Sequence, residues 1–288
     1  MKQPGIRVVG PKVIGLDKPF DKLITLPVEE VGTDLKISPS NNTTSFKLIG
    51  KNARKLDKSL ACLKVKTANI FDNLNITDQY TIEVKTNYHP SEPEILAALF
   101  EGMWKIARPD TIEKEVEAKL LTEQWKLNHW DKQLFYTSIA GGMRISQFPF
   151  QENGFRLNLP KGFRIVLFPR KLRIPLKPTA PQNLHAFRPD TRVLTAALAT
   201  GCLYADISRI KFALSGSIVQ TPFNVISYGR DCKNLASSSD ENIINYTIFK
   251  NSTEADDFIK DLKKINETNR LVNKITMANL AIEGVRVL

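Results

Sequence analysis

Ile82-Glu83-Val84-Lys85-Thr86-Asn87-Tyr88-His89-Pro90-Ser91-Glu92-Pro93-Glu94 runs directly into Ile95-Leu96-Ala97-Ala98-Leu99-Phe100. A strand feeds a helix there through a short loop, the position at which many α/β proteins hold a phosphate. The loop has no glycine and carries two carboxylates. A phosphate cradle needs converging backbone N–H groups, glycine where the chain turns tightly, and the positive end of a helix dipole behind them. A carboxylate about 5 Å from a phosphate repels it by roughly 3 kcal/mol at an effective dielectric of about 20. A helix dipole supplies only about 0.3–1 kcal/mol. Ser91, Glu92 and Glu94 therefore read as a failed nucleotide loop and as an ordinary helix start: Ser91 as N-cap, Glu94 closing a capping box, Pro93 in the first turn.

The rest of the chain is consistent with a globular protein holding one large or two small domains. It has 288 residues, 42% apolar and 25% charged. Forty-one Lys and Arg against 30 Asp and Glu give a net charge of +11, which favours anionic partners such as RNA or an acidic protein surface. Cys62, Cys202 and Cys232 are too few and too scattered for a disulfide framework or a zinc site, and no run has signal-peptide or membrane-span character. The expectation is a soluble intracellular protein, of cytoplasm or organelle matrix, with no membrane association. The sequons at Asn75 and Asn251 are then chance matches.

Along the chain, residues 6–9, 23–28, 33–38 and 45–50 read as short strands between Gly, Pro and Asn turns. Helical periodicity follows within 56–71, a strand at 80–86, and a helix over 94–107 with Ile95, Leu96, Leu99, Met103 and Ile106 on one face. Thr111 starts a further helix through Val116, Leu120, Leu121 and Trp125. After Asn128–Tyr136 a glycine pair, Gly141-Gly142, opens a strand. Phe163–Pro169 is nearly all apolar, the pattern of a strand buried on both faces. The proline-rich 169–189 reads as an extended connection. A helix from Pro189-Asp190 is expected to end at Gly201, and a strand at 245–249, a helix capped by Thr253 and a terminal strand at 284–288 complete the order. This is an α+β architecture of two layered halves, 1–160 and 161–288.

That order and four local stretches resemble the GHMP kinase superfamily and, within it, homoserine kinases. His129-Trp130-Asp131 followed by Ile139-Ala140-Gly141-Gly142-Met143 is similar to the family's His-Pro-Asp-Asn segment and Leu-Gly-Gly-Phe strand. Phe163–Pro169, Val193–Leu198, and Tyr246–Leu262 with Ala281–Leu288 resemble its later elements. The resemblance implies a two-layer GHMP-kinase-like fold, with a ribosomal-S5-domain-2-like N-terminal half and a ferredoxin-like C-terminal half. It also implies ATP, Mg²⁺ and an alcohol acceptor of the homoserine type, with Glu113 or Glu117 near the metal.

Departures fall on the anion-binding elements. The ATP loop, of the type Pro-x-Gly-x-Gly-x-Ser-Ser-Ala, aligns with Tyr88–Ala97 and has lost every glycine. The early Pro-x-Ser-x-Asn motif is reduced to Pro11-Lys12-Val13-Ile14-Gly15-Leu16-Asp17-Lys18-Pro19-Phe20-Asp21, keeping the turn and Phe-Asp. The late Ser-Gly-x-Gly-Pro loop is replaced by Ser237-Ser238-Ser239-Asp240-Glu241-Asn242. Phosphoryl transfer is mostly positioning and charge stabilisation, so three lost elements point to a pseudo-enzyme that keeps the fold, needs no cofactor, and acts as a binding or structural subunit of a larger assembly, such as a ribonucleoprotein.

The other chemistry-bearing residues have plainer readings. His129 with Asp131 reads as packing or a helix end before a catalytic pair. His89 and His185 stand alone, Ser215-Gly216-Ser217 is a turn, and Glu113, Glu115, Glu117 and Glu123 alternate with Lys114 and Lys119 on a solvated helix face. Trp104, Trp125 and Trp130 read as core. The candidate partner surface is the basic run Lys161, Arg164, Arg170, Lys171, Arg173 and Lys177, alternating with apolar Ile165, Leu167, Leu172 and Ile174. The rivals are a divergent ATP-dependent kinase and an unrelated basic nucleic-acid-binding protein.

Overall fold

The computed structural model describes residues 5–16, 22–50, 53–86, 91–108, 114–147, 155–158, 160–169, 191–210, 235–236, 244–269 and 275–288. His89, His185, Glu113, Cys232, Ser215–Ser217, Ser237–Asn242 and the proline-rich connection after Pro169 lie outside them. So does the end of the early motif, from Asp17 to Asp21.

The elements are strands β1 (Ile6–Leu16), β2 (Lys22–Ser40) and β3 (Ser45–Ile49), helices α1 (Ala53–Leu56) and α2 (Leu60–Leu74), strand β4 (Gln79–Thr86), and helices α3 (Glu92–Ala107), α4 (Lys114–Gln124) and α5 (His129–Ala140). Strands β5 (Met143–Gln147), β6 (Phe155–Leu157) and β7 (Arg164–Pro169), helix α6 (Thr191–Leu203), strands β8 (Leu235–Ala236) and β9 (Ile244–Phe249), helix α7 (Ser252–Asn269), and strands β10 (Thr276–Asn279) and β11 (Arg286–Val287) follow. The fold is mixed α+β.

Two compact units divide the chain. The first comprises Met1–Ile14, Thr25–Gly142 and Ala281–Leu288; the second, Gly15–Ile24 and Met143–Leu280. Residues 143–160, expected with the first half, fall in the second unit, and 281–288, expected with the second half, fall in the first.

In the first unit the strand order is β11-β1-β2-β4-β3, with β3 parallel to β4 and β2 antiparallel to it. Two strands expected at 23–28 and 33–38 are one, β2. Period-two alternation sets its faces: Leu35 and Ile37 are buried, paired with Val84 and Ile82 on β4, while Lys36 is exposed. Such apolar cross-strand pairs are the unit of sheet stability. Helix α3 lies against α2 and α5. It is buried on every side from Pro93 to Trp104, not on the single face its periodicity suggests. Each fully buried large apolar side chain there contributes about 1.5–3 kcal/mol, so α3 is the element around which this core assembles.

The segment after Ala281 closes the first unit. Ala281 N–H donates to Pro27 O, Gly142 N–H to Ala281 O and Val285 N–H to Ser138 O. Val287 on β11 then pairs with Val8 on β1. A Cβ at Gly284 would sit 1.9 Å from Ile139 O, and Gly141 has φ +65° with its own Cβ position 2.2 Å from Glu283 C. Only glycine fits either place. The expected terminal strand therefore belongs to the first sheet, and the strand that closes the second is β10.

The second unit holds an antiparallel sheet ordered β10-β7-β9-β8. Its central strand β7 buries Ile165, Val166 and Leu167 completely, as its unbroken apolar run requires. Helix α7 packs on β7 and β9, with Phe258 against Phe249 at 5.1 Å between ring centroids. Its cap is Asn251, not Thr253: Glu254 N–H donates to Asn251 Oδ1 at 2.9 Å and Asn251 Nδ2 returns to Glu254 Oε1. Gly201 does not end α6, which continues to Leu203. A Cβ there would meet Ile210 Cγ1 at 2.8 Å, so close packing selects glycine.

Candidate functional site

Ser91 has extended backbone (φ −73°, ψ 156°) and is the N-cap of α3. Its N–H donates to Glu94 Oε2 at 2.7 Å, one half of a capping box. Ser91 Oγ faces the Glu94 N–H to complete the box, although it makes no bond of full hydrogen-bond geometry among the described residues. The Glu94 and Ile95 amides instead reach Ser91 O, and Pro93 has no N–H.

Glu94 does more than cap. Its side chain is fully buried and paired with Lys12 of β1, Nζ to Oε2 at 3.1 Å, with the Lys12 side chain only 8% exposed. Oε1 accepts the Val13 N–H at 2.6 Å. Glu92 is ion-paired with Lys66 of α2 and accepts from Cys62 Sγ at 3.3 Å. Neither carboxylate is the bare repelling charge expected from the sequence, because each is matched by a lysine from another element. Of the amides at this helix start, those of Ser91, Glu94 and Ile95 are engaged within the chain and Pro93 has none.

Cys62 is exposed, and its thiol is pushed up first by burial of the sulfur, then by the hydrogen bond to Glu92 and its charge. It stays protonated at neutral pH and is a poor nucleophile. Cys202 is buried, and burial pushes it up to about 11.

Further along α3, Glu101 is buried and holds Lys114, the first residue of α4, at 2.5 Å. Burial raises the Glu101 carboxyl against the opposing pull of Lys114. Arg108 lies 5.1 Å from the Trp104 ring centroid and donates to Glu117 at 3.4 Å. Lys114 and Glu117 thus bridge to α3 and its C-terminal end, beyond the solvated face expected of α4, whereas Glu115 and Glu123 are exposed. Among the described residues no three His, Cys, Asp or Glu side chains cluster as a metal site. At α5, Asn128 is the N-cap: its Oδ1 accepts the Asp131 N–H at 2.9 Å and its Nδ2 donates to Asp131 Oδ2 at 2.8 Å. Asp131 has a capping role, and His129 is the first residue of that helix.

Of the six residues in the basic run, two are described. Lys161 is exposed in the turn before β7, and Arg164 opens the strand with its guanidinium donating to Gly162 O at 3.0 Å and Phe163 O at 3.3 Å. Arg170, Lys171, Arg173 and Lys177 lie outside the described residues. Trp104 and Trp125 are buried and Trp130 is half-buried. Among the described residues, no helix is long and apolar enough to cross a membrane.

The residues that sequence reasoning missed are Lys12 and Lys66. Lys12 had one visible signal, a lone cation within Val8-Val9-Gly10-Pro11-Lys12-Val13-Ile14, a run otherwise apolar or glycine. A lysine so placed needs a buried anion.

No protein-family model matches the sequence, and no curated protein sequence matches it. Solved structures do. Homoserine kinase from Cytophaga hutchinsonii superposes with a TM-score of 0.68 at 14% identity, over 99% of this chain and 98% of that one. Mevalonate kinase from L. major, solved with R-mevalonate, gives 0.65 at 12%, over 97% and 98%. Mevalonate diphosphate decarboxylase from Enterococcus faecalis, described for its ATP binding, gives 0.58 at 10%, over 99% of each chain. The chain has the GHMP-kinase fold along nearly its whole length. Identities this low carry the fold alone.

Proposed function

With that fold as the premise, we propose that this chain is a GHMP-kinase-fold protein that does not hold ATP at the start of α3 and works by binding. One observation carries this: the α3 amides are taken up inside the chain, by Glu94 and by Ser91 O, with Pro93 in the first turn. The net charge of +11 favours an anionic partner, RNA or an acidic protein surface, with Lys161 and the basic residues after Pro169 as the candidate contact. A structural role within a larger assembly fits such a protein, and its partner surface needs no cofactor.

A second reading is a divergent ATP- and Mg²⁺-dependent kinase acting on a small alcohol. The likeness to a homoserine kinase and a mevalonate kinase over whole chains speaks for this reading more than for the first. So does the pairing of Glu92 and Glu94 with lysines, which removes the charge penalty against an anion. For that reading Glu117 is a weak metal ligand, since it already serves Arg108.

Thermal unfolding with and without Mg-ATP separates the two. A ligand at 100 times its dissociation constant stabilises the folded state by about 2.7 kcal/mol, which moves the midpoint by several degrees. No shift is expected; a saturable rise, with phosphate transferred to homoserine or mevalonate, would replace the first reading with the second. An RNA mobility shift weakened by Lys171→Ala with Arg173→Ala is the corresponding test of the basic surface.

A further inference from the structure

We propose that Lys12, Val13 and Ser91 form a buried site for a small carboxylate whose resident ligand is the chain's own Glu94. A capping-box glutamate needs one bond, to the N-cap amide, and ordinarily sits in water. Glu94 makes that bond and then two more to a different element: the Val13 amide at 2.6 Å and the Lys12 ammonium at 3.1 Å. Two backbone N–H groups and a cation converging on two oxygens is the donor set with which proteins bind a free oxyanion. Helix capping does not explain the other two donors or the burial of both side chains. The donors come from β1 and from the residue before α3, so they remain when the glutamate side chain is removed. The occupant is a tethered carboxylate, and the site's chemistry is that of a small monocarboxylate, not of a nucleotide. This goes beyond the functional reading above and does not depend on it.

Glu94→Ala in the full chain keeps Cβ and deletes the atoms that acetate supplies one for one. Thermal unfolding of this variant is followed in sodium acetate and in sodium chloride at equal ionic strength. The expected result is a lowered midpoint that climbs saturably with acetate, by about 3 °C or more at ten times the dissociation constant, and not with chloride. The unaltered chain responds equally to the two salts, and adding Lys12→Met to the variant abolishes the acetate effect. Equal responses of Glu94→Ala to acetate and chloride overturn the site, as does an acetate effect that survives Lys12→Met. Should the variant not fold in buffer, its refolding yield from urea in the two salts is read the same way. A Mg-ATP shift in the unaltered chain would sink the functional reading and leave this result standing.

Discussion

The start and the middle of helix α3 bury a glutamate each and surround it differently. Near the start, Glu94 has a lysine and two backbone amides around it, and the Lys12 side chain is buried with it. Two turns on, Glu101 has a single lysine reaching in from α4 with its side chain 35% exposed. Burial dominates there, so the Glu101 carboxyl is raised despite Lys114. The two carboxylates differ in how many donors surround them: a lysine and two backbone amides at Glu94, one lysine at Glu101.

The largest effect should come from the better-held pair. Glu94→Ala or Lys12→Met removes one partner of a buried ion pair, and a loss of about 3–5 kcal/mol in urea unfolding is expected. A loss under 1 kcal/mol would erase the contrast. Glu101→Gln should have a smaller, pH-dependent effect. A raised carboxyl contributes stability that is fully present below its unfolded value, near 4.5, and is lost as pH rises through its folded value. The variant lacks that loss, so its stability relative to the unaltered chain should improve between pH 4 and pH 8. A difference constant across that range would mean that Lys114 fully offsets the burial. Glu92→Gln, at a partly exposed pair with Lys66, should change stability least, by about 0–1 kcal/mol. A cost matching that of Glu94→Ala would show that partial exposure does not soften the pair.

How much of this was legible in the sequence depended on the distance between the partners. The helix start at Ser91, the buried run of β7 and the order of most elements follow from local spacing, because caps and alternation act within a few residues. The ion pair joining Lys12 to Glu94 crosses a separation of 82 residues, and nothing local announces it. Without it, and without the Lys66 partner of Glu92, both glutamates near Ser91 counted as free charges when each is matched by a lysine. Gly201 misled for a related reason: a glycine chosen by contact with Ile210 looks the same in one dimension as one that ends a helix. The terminal strand was identified as a strand, but its partner β1 lies at the far end of the chain, and pairing choice of that kind is not written locally.

The pairing of β11 with β1 fixes a timetable. Translation delivers β1 well before its edge partner β11, with the residues of the second unit made in between. A sheet edge left open in that interval is a template on which other chains can pair.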